Sequence, residues 1–202
     1  MLASGSGTNL QAILDKVHGR GGIELVAVAS NRRDATALER ARAAGIDTAV
    51  FAREDYPDRE ARDEAIAQWL TVREVDLLVL AGYMELMSDP FVARFRDRII
   101  NVHPALLPSF PGLDAVQQAL DHGVKVTGVS VHFVDEGVDS GPIILQRPVE
   151  VPESRRWDDL EERIHAVEHE LLPEAIRLIA AGAVRIDDRN ERLVVVDRAA
   201  SG

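Results

Sequence analysis

Cysteine is absent from all 202 residues. No disulfide framework, thiolate nucleophile or cysteine zinc cluster is therefore available to this chain. No apolar run is long enough to span a bilayer, and the N-terminus lacks the charged-then-apolar order of a secretory signal. The expected address is the cytoplasm. An excess of positive charge is also lacking: 23 basic residues stand against 34 acidic ones, a formal charge of −11. Such a surface repels phosphate backbones and anionic membranes on average, which argues against nucleic-acid and membrane partners. Small anions still bind where backbone N–H groups and a few cationic side chains converge. No Ser/Gly-rich or Pro-rich linker divides the sequence, and a second domain of ordinary size would not fit.

With 46% hydrophobic and 28% charged residues, the chain fits one compact α/β domain over 1–202. Strand-like and helix-like stretches alternate. Residues 24–30 (ELVAVAS) read as a buried strand, followed by a helix near 35–44 that Gly45 closes. A short strand at 48–50 precedes a helix over about 58–72. Residues 75–81 (VDLLVLA) form a continuous apolar run, as in a strand covered on both faces. The strand at 98–102 opens into a Pro-rich loop, 103–112, and then a helix over 113–121. Two β-rich segments, 127–134 and 142–151, flank the polar turn 135–141. The longest helix covers about 157–181, with Leu160, Ile164, Val167, Leu171 and Leu178 near helical spacing. Residues 184–196 read as a hairpin turning near 188–190. Repeated strand–helix–strand units imply a doubly wound, mostly parallel sheet with helices on both faces. Ligands in such sheets bind beyond the C-terminal strand ends, which points to residues 5–9, 82–84 and 101–108. Met1–Ala3 is too short for a first strand, so a longer strand is expected upstream.

Three segments offer chemistry. Residues 4–9 (SGSGTN) lead into an apparent helix at 10–17, whose exposed N–H groups suit a phosphate. Thr8 and Asn9 would add hydrogen bonds to the same anion, or else simply cap the helix. The segment is neither a P-loop nor a full G-x-G-x-x-G. In residues 101–108 (NVHPALLP), Asn101 and His103 point to one side of a strand. An amide donor beside an imidazole suits an oxyanion formed during acyl transfer. With no serine or cysteine nucleophile nearby, direct attack by a substrate amine is favoured over an acyl-enzyme. The alternative is a buried histidine bonded to backbone. In residues 135–142 (DEGVDSGP), a carboxylate can reach His103, favour its charged form near neutrality and assist proton movement, or the segment is a solvated turn. His165 and His169 lie one helical turn apart without an evident third metal ligand, and no metal is expected. His132 reads as a packed residue, and Trp69 and Trp157 as packing against the core or its edge.

Taken together, residues 4–12 (SGSGTNLQA), 79–84 (VLAGYM), 101–112 (NVHPALLPSFPG) and 130–145 (SVHFVDEGVDSGPIIL) resemble the phosphoribosylglycinamide formyltransferase family. The likeness runs from Leu2 to about Ala181. It implies a formyltransferase-like Rossmann-type fold, 10-formyltetrahydrofolate as co-substrate, and glycinamide ribonucleotide as acceptor in purine biosynthesis. A phosphate-binding half at about 1–100 would precede a folate-binding and catalytic half at about 101–202. By that resemblance Asn101 and His103 bind the oxyanion on the formyl carbon, and Asp139 orients His103 and handles the amine proton. Gly7, Thr8 and Asn9 hold the ribonucleotide phosphate, while Glu168 and Pro104 contact that substrate. Met84, Glu85, Leu86, Val134, Asp135, Glu136, Gly137 and Val138 line the folate pocket, with Arg59 facing the carrier's glutamate tail. The assembly is expected to be a monomer or homodimer.

Two positions depart from the family pattern. Glu85 stands where members commonly carry Arg, which removes cationic help for the anionic carrier, and Val116 replaces a polar residue frequent in bacterial members. Rival readings are a formyltetrahydrofolate hydrolase, another formyltransferase on the same core, or a non-catalytic nucleotide-binding module. A methionyl-tRNA formyltransferase would carry a basic loop after the His motif, whereas residues 106–111 (LLPSFP) are uncharged.

Overall fold

The computed structural model describes residues 1–197; residues 198–202 of the expected domain lie outside it. Two compact units meet in sequence between Asn101 and Val102.

In the first unit the elements follow as α1 (Thr8–Lys16), β1 (Ala27–Ser30), α2 (Thr36–Ala43), β2 (Asp47–Val50), a 3-10 turn at Arg53–Asp55, α3 (Arg59–Val72), β3 (Leu78–Ala81), α4 (Asp89–Arg94) and the start of β4 (Ile99–His103). Strands β1 and β2 pair in parallel from Ala27↔Asp47 to Ser30↔Val50. Strand β3 lies beside β4, with the Leu78 N–H donating to the Arg98 carbonyl at 2.8 Å. All four residues of β1 and of β3 are buried. Their continuous apolar character has this origin: strands covered on both faces leave no position for a solvated side chain.

Met1–Ala3 does more than its length suggests. Leu2 bridges in parallel to both Ala29 and Leu80, so a single residue stands between β1 and β3. The Asp58 carboxylate caps α3 by accepting from the Ala61 N–H at 2.8 Å. The sequence reading omitted α4, a six-residue helix with Pro at its start.

The second unit holds the end of β4, then α5 (Ala115–Asp121), β5 (Val126–Phe133), β6 (Ile143–Glu150), α6 (Trp157–Ala180), β7 (Val184–Asp187) and β8 (Asn190–Val196). Strands β5 and β6 are antiparallel, and so are β7 and β8. The α/β class is as expected, but the sheet is mixed: the turn 134–142 is too short for the crossover that a parallel pair requires. Helix α6 covers β5, β6 and α5. Its buried stripe runs Leu160, Ile164, Glu168, Leu171, Leu172, Ala175 and Ile176. Val167 is only half-buried, one position off that stripe, and Glu168 takes the buried place. Trp69 packs edge-on against Phe51 at 5.7 Å between centroids, whereas Trp157, expected to pack, opens α6 with much of its surface exposed.

Gly128 sets the spacing between β5 and its neighbours. A Cβ there would meet the Arg147 carbonyl oxygen at 2.4 Å and Leu106 Cδ2 at 2.5 Å. Leu106 can yield, but the Arg147 oxygen belongs to the paired strand. Gly128→Ala should therefore lower unfolding free energy by about 1–3 kcal/mol. Chemical denaturation measures this, and a wild-type midpoint would show that the ladder yields freely.

Candidate active site

The glycine turn opens α1. Gly7 stands at the N-cap with φ 72°, and no side chain caps the helix. A Cβ at Gly7 would lie 2.7 Å from Ala37 Cα, so both backbone angle and packing demand glycine. The turn is fixed from α2: the Ala37 N–H donates to the Gly5 carbonyl at 3.1 Å, and Arg40 Nε donates to the Ser6 carbonyl at 2.9 Å. Thr8 is half-buried and Asn9 buried in the first helical turn. An uncapped helix start with a guanidinium nearby suits an anion.

Asn101 and His103 sit two residues apart on β4, so the pleat turns both side chains to one face. His103 is buried, and both of its ring nitrogens are engaged. Nε2 lies 2.8 Å from the Phe110 carbonyl oxygen. A carbonyl only accepts, so Nε2 carries a proton. Nδ1 faces Asp139 Oδ2 at 3.3 Å. The Gly112 N–H donates to the same Oδ2 at 2.8 Å. The other carboxylate oxygen, Oδ1, lies 3.5 Å from His132 Nε2. His132 Nδ1 in turn donates to the Phe133 carbonyl at 2.8 Å. Two imidazoles and one amide thus surround a single carboxylate.

This cluster was only partly legible. The sequence placed His103 with Asp139, and the fold brings them together. His132 read as packing because an isolated mid-strand histidine carries no signal of its partner. What brings it to Asp139 is the antiparallel return that places the turn after β5 against its end.

Charge balance corrects one expectation. Burial lowers the His103 pKa below the ordinary histidine value; Asp139 and the Phe110 carbonyl oppose this only in part, and His132 adds to the lowering. The Asp139 contribution has the expected sense, but burial outweighs it. For Asp139, burial pushes the pKa upward, but His132, the charge on His103 and the Gly112 N–H outweigh it. The net shift is downward, and the carboxylate is ionised at neutrality.

The loop after β4 is held rigidly. The buried Ser130 hydroxyl donates to the Ala105 carbonyl at 2.6 Å and accepts from the Leu107 N–H at 3.1 Å. Gln146 Nε2 donates to the Leu107 carbonyl at 2.9 Å and to Ser130 Oγ at 2.8 Å. Pro104 is half-buried at the start of this loop, and Val116 is buried in α5. Phe110 stands at φ 55°, a conformation that costs a non-glycine residue free energy.

The remaining candidates divide by unit. Met84 and Leu86 are exposed, and the Glu85 carboxylate pairs with Arg62 at 3.0 Å. Arg59 is exposed at the start of α3, 3.6 Å from Glu60. In the second unit, Val134 and Asp135 are half-buried, while Glu136, Gly137 and Val138 are exposed. Asp135 Oδ1 accepts from the Gly137 N–H at 3.1 Å and the Ser140 hydroxyl at 2.7 Å, which shapes the turn. Glu168 is buried on α6. His165 and His169 stack with centroids 6.0 Å apart. No group of three potential metal ligands gathers among the described residues.

Residues 1–176 match the formyl transferase family, and the chain belongs to that family. Within it, the chain is 41% identical to the phosphoribosylglycinamide formyltransferase of Bacillus subtilis over 178 residues, 88% of this chain and 91% of that one. It is 44% identical over 188 residues, 92% of its own length, to the trifunctional purine biosynthetic protein adenosine-3 of Drosophila pseudoobscura pseudoobscura. It spans only 14% of that larger protein. The crystal structure of glycinamide ribonucleotide transformylase 1 from Symbiobacterium toebii superimposes with a TM-score of 0.92 at 52% identity, covering 96% of this chain and 91% of that one.

The sign of the His103–Asp139 coupling is directly measurable. The Asp139 charge favours imidazolium, so neutralising it should lower the His103 pKa further. NMR titration of the His103 ring in wild type and Asp139→Asn should show this drop. A rise on substitution would mean that desolvation by Asp139 outweighs its charge.

Proposed function

We propose that the chain transfers a formyl group from 10-formyltetrahydrofolate to the amine of glycinamide ribonucleotide, in purine biosynthesis. The observation that carries this reading is the buried His103–Asp139–His132 cluster, on a chain closely similar to a phosphoribosylglycinamide formyltransferase over nearly its full length. Both substrates are small, anionic and water-soluble. We accordingly assign the reaction to the cytoplasm; the enzyme is proposed to act as a monomer or homodimer.

In this reaction the amine attacks the formyl carbon and a tetrahedral intermediate forms. Negative charge develops on the formyl oxygen. His103 Nε2 already carries a proton and serves as donor once the substrate oxygen replaces the Phe110 carbonyl as its acceptor. Asn101, on the same face of β4, supplies an amide N–H. The ionised Asp139 beside Nδ1 favours the imidazolium form of His103, the form that donates most strongly from Nε2, and accepts the amine proton through water. The folate leaves with the electron pair of the broken C–N bond and takes up a proton. Gly7, Thr8 and Asn9 hold the ribonucleotide phosphate at the start of α1, and Glu168 and Pro104 contact the same substrate. Met84 and Leu86 offer exposed apolar surface to the folate ring. Residues 134–138 are assigned to the same ligand, and Arg59 to its anionic tail.

Two roles can be separated by kinetics. Removing one oxyanion donor typically costs about 10²–10³ in rate. Asn101→Ala and His103→Ala should therefore lower kcat by about 10²–10³ while circular dichroism and thermal midpoint stay near wild type. Formylation is followed with glycinamide ribonucleotide and formyl-folate. Near wild-type kcat in either folded variant would remove that residue from the mechanism. Formate release without acceptor, at the rate seen with it, would identify a hydrolase instead.

A further inference from the structure

The segment from Gly82 to Ser88 links β3 to α4 and turns two large apolar side chains outward. Met84 is 61% exposed and Leu86 60% exposed. Between them, Glu85 turns its carboxylate the other way. Glu85 Oε2 lies 3.0 Å from Arg62 Nη1. Arg62 is a helical residue of α3 with only 2% of its side chain exposed, and it also pairs with Asp63, itself 1% exposed, at 3.0 Å. A buried guanidinium between two carboxylates is unusual, since burying a charge is costly unless it is paired.

Polar atoms of this cluster reach the backbone of the loop. Arg62 Nη2 donates to the Leu86 carbonyl at 3.4 Å. Asp63 Oδ2 accepts from the Ser88 N–H at 2.6 Å. Asn31, at the end of β1, donates to Glu85 Oε1 at 3.4 Å and accepts from the Ser4 hydroxyl at 2.6 Å. Ser4 Oγ in turn accepts from the Met84 N–H at 2.9 Å. The loop is thus gripped at Met84, Glu85, Leu86 and Ser88 by one connected set of side chains. The cation in this region comes from α3, beneath the loop, and Glu85 is its partner.

We infer that Glu85 is a positioning residue: through Arg62 it fixes the Gly82–Ser88 loop so that Met84 and Leu86 present a preformed apolar platform to the flat ring of the formyl carrier. This rests on the folate reading of that loop given above. It differs from a direct contact, in which residue 85 would itself meet the carrier. Holding the platform in its bound shape spares the ligand the cost of ordering it. The effect therefore falls on carrier binding and not on the chemical step.

The test is steady-state kinetics on the full chain with four variants. Glu85→Gln keeps the shape but removes the charge. It should raise KM for formyl-folate about tenfold, the scale of one lost charge-assisted hydrogen bond, with kcat and KM for glycinamide ribonucleotide changed less than about twofold. Glu85→Arg places two guanidinium groups face to face and should raise that KM further. Were residue 85 a direct contact to an anionic carrier, Glu85→Arg would lower KM, and that result overturns the inference. Leu86→Ala and Met84→Ala test the platform itself. If they raise KM for formyl-folate while folded Glu85→Gln does not, the positioning role is wrong and the folate reading stands. If none of the four moves that KM, the folate reading of the loop fails first. Glu85→Gln sits at a part-exposed position, so folding is expected to survive it; a fifth variant, Glu85→Asp, keeps the charge and should bring KM back toward wild type.

Discussion

The structure of the second unit depends on keeping one carboxylate ionised where solvent is scarce. Burial alone pushes the Asp139 pKa up, toward the neutral acid, and a neutral acid would attract two imidazoles far less. The counterweight is the Gly112 N–H with the two histidine nitrogens. Placing them requires a particular turn. Asp139 stands at φ 50°, and a Cβ at Gly141 would lie 1.9 Å from the Phe133 carbonyl oxygen. The glycine that follows the aspartate is thus what lets the chain close on itself and return as β6. A motif that looks like loop composition is a steric requirement for carrying a charge back to β4.

A shared design principle governs the loops of both units. One loop with candidate ligand contacts in each unit is tied through its backbone by buried side chains reaching from elsewhere in the chain. Ser130 does this for residues 105–107, and Ser4 with Asp63 does it for residues 84–88. Loop backbones carry many polar groups that must be satisfied somewhere. Satisfying them with buried side chains instead of water converts a mobile connection into a fixed surface, and catalysis by orientation needs such surfaces.

Much of this was legible in the sequence, and the exceptions share a cause. Helices α2, α3 and α6 and strands β1, β3 and β5 follow from apolar periodicity, because burial of one face or both is a local pattern. The pairing of His103 with Asp139 was legible through motif order. Arg62 and Asp63 were not: within REARDEAI they look like another solvated helix turn, and only the loop packed against them reveals burial. His132 was invisible for the same reason, since strand alternation tells which face a residue takes and not what meets it there. Helix α4 was missed because six residues offer too little periodicity to register. Charge balance was misjudged at His103 because desolvation is a property of the folded surroundings, and a nearby carboxylate was the only term visible in the text.

That misjudged charge bears on the proposed reaction. Both ring nitrogens of His103 face acceptors, the Phe110 carbonyl and the Asp139 carboxylate, and only the imidazolium carries a proton on each. Burial opposes that charge and outweighs the attraction of Asp139 in the free protein. In the reaction proposed above, an oxyanion takes the place of the neutral carbonyl at Nε2. A second negative charge beside the ring favours the imidazolium more in the intermediate than in the empty site. Only interactions that strengthen on the way to the transition state raise kcat. The burial of His103 then belongs to the proposed catalytic arrangement, because it leaves the cation dependent on the charge that the reaction itself creates.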